Sequence, residues 1–227
     1  MIRYSRRSLL QTLALWGLLP RGRAWASTAS MEKPAEWLQA AAPEAPQAIW
    51  SSPSERTEAV ANLRNYFHAH APQLLRPAQG VLRFPSISPS LPHKQYSSEL
   101  WDWDTLWTCR GLLRVATLAG DSSLRAGVIE HARGSVLNFL DHQASDGRIP
   151  MLITVTNPDP LGCLKGAAPH KENQAKPVLA QLALLVSDEI GASWLAPHFD
   201  QLMKFFDSWT TNNLSHTGLL VWATMLP

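Results

Sequence analysis

The spacing of the turns between its helical segments constrains the fold of this chain more than any other feature. Short turns at Gly120 and Gly191 alternate with long connections over residues 72–97 and 143–172. In a series of helical hairpins, the short turns collect at one end and the long loops at the other. The pattern therefore predicts an all-α fold built from hairpins.

Five helices are predicted from hydrophobic periodicity, prolines and capping residues. They cover residues 54–70 with Ser54 as N-cap, about 105–119, 122–142, about 176–190 from Lys176-Pro177, and a last stripe of Leu195, Phe199, Leu202, Phe206 and Trp209. Residues 178–186 are apolar almost all round, which is typical of a helix buried on two sides. Inner helices that are apolar on several faces, surrounded by outer helices that are apolar on one face, are typical of an α/α toroid. The alternative is a plain helical array, although no 34-residue repeat is present.

The first 26 residues carry the features of an export signal. Arg6-Arg7 has the twin-arginine form, an apolar run covers Leu9–Leu19, and Ala24-Trp25-Ala26 fits a cleavage site. The run is shorter than the roughly 20 residues of a membrane span. We expect cleavage after Ala26 and a periplasmic or secreted protein; the alternatives are an uncleaved anchor or a basic start that occurs by chance.

Composition divides the rest of the chain and excludes several classes of function. Residues 27–54 are rich in Ala, Pro and Ser and are predicted to form a linker, which leaves 55–227 as the folded domain. Residues 1–26 hold five arginines and no acid, so the remainder has 15 basic and 18 acidic residues. This weakly acidic body argues against a nucleic-acid partner. No phosphate-binding loop, metal-ligand spacing or cofactor motif is present.

The segment Trp101-Asp102-Trp103-Asp104, with Trp107 one turn later, is the strongest candidate for a binding site. Flat aromatic rings cover the C–H faces of a sugar, and carboxylates accept hydrogen bonds from its hydroxyls. The pattern thus predicts a carbohydrate partner. The alternative is an aromatic cluster in which Asp102 or Asp104 caps the helix.

Four segments in order resemble the six-hairpin glycosidases, in particular the glycoside hydrolase family 63 and mannosylglycerate-hydrolase group, with trehalases more distant. They are Trp101-Asp102-Trp103-Asp104 followed by Gly111-Leu112, Asp146-Gly147-Arg148-Ile149-Pro150, Asn173–Gln181 with its Lys176-Pro177 step, and Thr217-Gly218-Leu219-Leu220-Val221-Trp222. The resemblance covers roughly residues 80–227. It implies an (α/α)6 toroid that hydrolyses α-glycosidic bonds with inversion.

The resemblance also implies which residues bind the sugar. Asp104 matches the aspartate that binds the sugar in the cleaved subsite; Trp101, Asp102, Trp103, Gln174 and Lys176 complete the predicted substrate-binding set. The family's general acid lies in a Ser-Gly-x-Asp segment after Gly-Leu-x-x-Trp, and its base is a later Glu. We therefore expect both catalytic carboxylates beyond Pro227, and the chain to be the N-terminal part of an incomplete toroid. In such a part the helix over 178–186 is expected to face water.

A few other residues are weaker candidates for a functional role. Asp159 is expected to be a solvated loop residue, and His170 a minor loop contact. Cys109 and Cys163 leave open a disulfide after export. Two other functions remain open as alternatives to the hydrolase: a non-catalytic carbohydrate-binding module and a helical interaction protein with the tryptophans in its core.

Overall fold

The computed structural model describes residues 52–164, 174–213, 215 and 217–220. Five α-helices dominate them: α1 (Pro53–His70), α2 (Asp102–Ala119), α3 (Ser122–Asp141), α4 (Val178–Ile190) and α5 (Phe199–Asn212). Four short strands lie between helices: β1 (Leu75–Arg76), β2 (Ser86–Ile87), β3 (Glu99–Trp101) and β4 (Leu152–Thr154). The fold is mostly helical, and the predicted signal segment lies outside the described residues.

Helix α1 starts earlier than predicted because its N-cap is Ser52. The Ser52 hydroxyl accepts a hydrogen bond from the Glu55 N–H at 3.2 Å, and Pro53 takes the first helical position. Ser54 is therefore inside the helix. None of the residues of α1 is buried, so this helix lies on the outside of the fold.

Helices α2 and α3 form the first compact hairpin, with the short turn that the sequence predicted. Gly120 ends α2 in the left-handed conformation (φ 66°), which glycine adopts without strain. Asp121 then caps α3 by accepting the Leu124 N–H at 2.8 Å. The same carboxylate is 2.9 Å from His68 Nε2, which ties α1 to the hairpin.

The long connections contain two antiparallel two-stranded ribbons. In β1–β2, Arg76 lies opposite Ser86, and in β3–β4, Trp101 lies opposite Leu152. Side chains of α3 hold the first ribbon, since the Asn138 amide makes two hydrogen bonds to the backbone of Phe84. The prolines that prevent helix here leave room for these short strands.

The predicted exposure of helix 178–186 is wrong. Val178, Leu179, Leu182, Ala183 and Val186 of α4 are all buried. Helices α2 and α3 and the 3₁₀ segment Ala192–His198 pack against α4 and cover it within this chain. Ile190, the last residue of α4, is exposed. Most of the other exposed large apolar residues of the helices lie on α1 (Val60, Leu63, Tyr66, Phe67) and on α2 (Trp103, Trp107, Leu118).

The last helical stripe differs from its prediction at two positions. Leu195, Leu202 and Trp209 are buried as predicted, whereas Phe199 and Phe206 are half-buried and Phe205 is buried instead. The segment begins as a 3₁₀ turn and becomes α-helical at Phe199. Within the α-helix, Leu202, Phe205 and Trp209 are spaced by three and four residues, so they lie on one face. Within the described ranges, no helix is long and apolar enough to cross a membrane.

Candidate functional site

Two tryptophans lie on consecutive turns at the start of α2 and remain open to solvent. Trp103 is 46% exposed and Trp107 is 51% exposed, and their ring centroids are 5.9 Å apart. Residues four apart lie on the same side of a helix, which places both rings on one surface. Asp104, also exposed, follows Trp103 directly. We call Trp103, Asp104 and Trp107 the exposed tryptophan face.

Two cations border this face. Lys176 Nζ is 5.9 Å from the centroid of the Trp103 ring, and the Arg110 guanidinium carbon is 5.5 Å from that of Trp107. Such contacts are weakly favourable at exposed sites. They also place hydrogen-bond donors beside the rings, which complement the acceptor oxygens of Asp104.

Asp102 is buried directly below the exposed tryptophan face. Its two carboxylate oxygens accept the backbone N–H groups of Trp103 at 2.7 Å and of Lys176 at 2.6 Å. The Lys176 ammonium is 3.6 Å away. Burial raises the pKa of Asp102, opposed by the Lys176 charge and by the two N–H donors. Asp102 therefore joins the start of α2 to the segment that enters α4.

Trp101 is oriented away from that face by its own contacts. Its indole N–H donates to Glu99 Oε2 at 2.6 Å, and its ring meets Tyr96 edge-on at 6.0 Å between centroids. The side chain is half-buried. Trp101 thus supports the strand that leads into α2.

Gln174 is fully buried between α5 and the start of α4. Its amide donates to Asn213 Oδ1 and accepts the Ser208 hydroxyl, both at 2.9 Å. Next to it, the Trp209 indole donates to the Ala175 carbonyl at 3.0 Å. We call the set of Asp102, Gln174, Ala175, Ser208, Trp209 and Asn213 the buried junction.

The predicted substrate-binding residues therefore do not form one site. Lys176 lies against the Trp103 ring, and Asp104 is exposed next to Trp103 in the chain. Asp102 and Gln174 are buried, and Trp101 contacts Glu99 and Tyr96. The sequence analysis noted Trp107 beside the motif but left it, with Arg110, out of the predicted substrate-binding set. The four-residue spacing from Trp103 to Trp107 on a helix is the signal that could have added the second ring.

The weaker candidates have structural roles where the structure describes them. Asp159 is buried, so the solvated-loop expectation is wrong; its oxygens accept the N–H groups of Cys163 and Leu164 at 2.9 Å each. His170 and Trp222 lie outside the described residues. No cluster of His, Cys, Asp or Glu suited to a metal occurs in the described part of the chain.

Cys109 and Cys163 are free and buried, so the structure contains no disulfide between them. Burial raises the pKa of Cys109 to about 12 and that of Cys163 to about 11. Both side chains are protonated at neutral pH and act as small apolar groups in the core.

No protein family model, curated protein or solved structure matches this chain.

Proposed function

We propose that this chain forms the sugar-binding part of an exported, inverting α-glycoside hydrolase of the six-hairpin type. Its substrate is an oligosaccharide, an α-glucoside or an α-mannoside. One observation carries the proposal: two half-exposed tryptophan rings lie side by side at the start of α2, next to an exposed carboxylate.

The chemistry of that surface matches a sugar. A tryptophan left half in water forgoes part of the burial that stabilises a core, and it binds a partner with an apolar face. The C–H face of a pyranose is such a partner. Asp104 accepts hydrogen bonds from ring hydroxyls, and Lys176 donates to ring oxygens.

The arrangement of helices supports an (α/α)6 toroid. Helices α2 and α4 begin at the same end of the fold, since Asp102 at the start of α2 accepts the N–H of Lys176 just before α4. In the proposed toroid these are inner helices. The exposed tryptophan face then lies at the end of the barrel where the long loops gather.

Catalysis is proposed to need residues other than these. Inversion requires two carboxyl groups roughly 6.5–9.5 Å apart, one as acid and one as base. The resemblance assigns Asp104 to sugar binding and assigns no catalytic carboxylate to residues 1–227. We therefore expect this chain to bind α-glycosides without hydrolysing them.

A sugar titration tests the proposal. The full chain is titrated with methyl α-glucoside, methyl α-mannoside and maltotriose while tryptophan fluorescence and calorimetric heat are recorded. At least one sugar should bind, and Trp103→Ala and Asp104→Asn should each weaken that binding about tenfold. Tyr66→Ala and Asp207→Asn, at exposed positions on α1 and α5, are the matched controls. No response to any sugar, or equal losses in the controls, contradicts the proposal.

A non-catalytic carbohydrate-binding module is the second candidate, and one observation favours it. Helix α4 is covered within this chain, so the described core is closed around its most apolar helix. A module should be monomeric at every protein concentration, and its affinity for the sugar should not change with protein concentration. Sedimentation velocity separates the two candidates, because part of a larger barrel should self-associate through its exposed apolar residues.

A further inference from the structure

A cavity lies between the two strand ribbons, apart from the exposed tryptophan face. Its volume is about 350 Å³, at the lower end of the range for small-molecule pockets. Its polar lining includes Arg76, Ser86, His93, Ser97 and Glu99. No residue of the exposed tryptophan face contributes to it, so the cavity is a separate candidate site.

Arg76 lines this cavity, and protein acceptors satisfy its guanidinium only in part. Its guanidinium donates to the Ser90 carbonyl at 3.3 Å through one terminal nitrogen. Its Nε atom is buried and has no hydrogen-bond partner among the described residues. A buried N–H without an acceptor is unfavourable, and a ligand anion beside the guanidinium compensates for it through the terminal nitrogens and the charge. Ser86, directly opposite Arg76 on β2, lines the same cavity.

His93 is held at the cavity by a strained turn. The turn from Leu91 to Lys94 closes with a hydrogen bond of 3.2 Å from the Lys94 N–H to the Leu91 carbonyl. Pro92 takes its second position and His93 its third, with φ at 63°. Glycine or asparagine usually occupies such a position, because other side chains are strained there. Residues in this conformation are found more often at binding and active sites than elsewhere.

Glu99 adds an acceptor to this set of donors. One of its oxygens is bound by the Trp101 indole N–H, which fixes the carboxylate. A carboxylate accepts hydrogen bonds from hydroxyl groups but repels an anion that lies against it. The ligand must therefore place its negative group toward Arg76 and a hydroxyl toward Glu99.

We propose that this cavity binds a small hydroxylated organic anion, whose carboxylate or phosphate oxygens accept hydrogen bonds from Arg76 and His93. Arginine is suited to this role because its planar guanidinium matches two oxygens of such a group. The cavity volume limits the ligand to about the size of one sugar ring. The proposal does not depend on the exposed tryptophan face or on the hydrolase assignment.

Calorimetric titration of the full chain tests this site with four probes. Acetate and inorganic phosphate report the anion alone, and glucuronate and glucose 6-phosphate report it on a hydroxylated ring. We expect one of the two ring compounds to bind at least tenfold more tightly than its simple anion, which also decides between carboxylate and phosphate. Absence of binding by all four overturns the proposal.

Two variants assign the binding to this cavity. Arg76→Gln should lower the affinity for the preferred probe at least tenfold. Arg83→Gln should leave that affinity unchanged, since Arg83 is exposed and pairs with Asp141. His93→Asn keeps a residue that accepts positive φ and should weaken binding about threefold to tenfold. Tyr96→Asn, at φ 67°, is its control for backbone strain. Unchanged affinity in both Arg76→Gln and His93→Asn overturns the assignment.

Discussion

The two sides of one helix turn at the start of α2 differ sharply in what they do. On one side the buried junction joins α2, α4 and α5 through Asp102, Gln174 and Trp209. On the other side, the two rings of the exposed tryptophan face remain about half exposed to solvent. Residues adjacent in one sequence motif thus belong either to the fold or to the candidate site. The chain offers the same residue type on both sides, so identical substitutions test the division.

Tryptophan substitutions should give the largest contrast. Trp209→Ala removes a buried ring and its hydrogen bond to the Ala175 carbonyl, and should lower the free energy of unfolding by about 3–5 kcal/mol. Trp107→Ala removes a half-exposed ring and should cost less than about 1 kcal/mol. Urea denaturation followed by circular dichroism measures both. Similar losses at the two positions contradict the division.

Aspartate substitutions should give the next largest contrast. Asp102→Ala leaves the N–H groups of Trp103 and Lys176 without their acceptor and the Lys176 ammonium without its counter-charge, a loss of about 2–4 kcal/mol. Asp104→Ala, two residues later on the exposed side, should change stability by less than about 0.5 kcal/mol. The same denaturation series measures both. A strongly destabilised Asp104→Ala shows that its carboxylate supports the fold.

This contrast also shows how far the sequence could predict the site. The sequence pattern marked Trp101–Asp104 as one candidate binding motif, because aromatic and acidic residues alternate there. A sequence motif does not show which carboxylate points inward. That depends on the later segment at Lys176, whose N–H reaches Asp102 across 74 positions of the chain.

The fold was predicted best where the signal is local. The Gly120-Asp121 turn and the helices on either side follow from capping chemistry, and the structure confirms them. The short strands and the coverage of α4 depend on contacts between distant segments. Those contacts leave little trace in local periodicity. The apolar pattern of residues 178–186 indicated a buried helix, whereas the wrong expectation of exposure came from the resemblance, which implied an incomplete toroid.

Glycine substitutions extend the comparison to the backbone. A Cβ at Gly134 in α3 would lie 2.0 Å from the Pro85 carbonyl oxygen, so Gly134→Ala should destabilise by about 1–3 kcal/mol. At Gly111 in α2 a Cβ meets nothing within 4 Å. Gly111→Ala should therefore stabilise by about 0.5–1 kcal/mol through better helix propensity. Thermal unfolding measures both changes, and opposite signs are the expected result. A destabilising Gly111→Ala indicates that another part of the protein packs on the exposed side.

The dependence of stability on pH should give the smallest effect and tests the buried junction alone. Because the pKa of Asp102 is raised above its ordinary value of 3.8, the folded protein binds its proton more tightly than the unfolded chain does. The resulting contribution to stability is fully present below pH 3.8 and is lost as pH rises through the folded pKa. Asp102→Asn lacks this dependence, so the stability of the wild type relative to the variant should fall as pH rises.

The difference between the two proteins isolates the Asp102 effect. Asp121 and Asp146, whose pKa values are lowered, add stability as pH rises, but they are present in both proteins and cancel. The measurement is the free energy of unfolding of wild type and Asp102→Asn at several pH values from 3.5 to neutral. If the stability of the wild type relative to Asp102→Asn instead rises with pH, the pKa of Asp102 is lowered in the folded protein. Lys176 and the two N–H donors then have a larger effect on that pKa than burial has, and Asp102 stabilises the junction as a fully charged carboxylate.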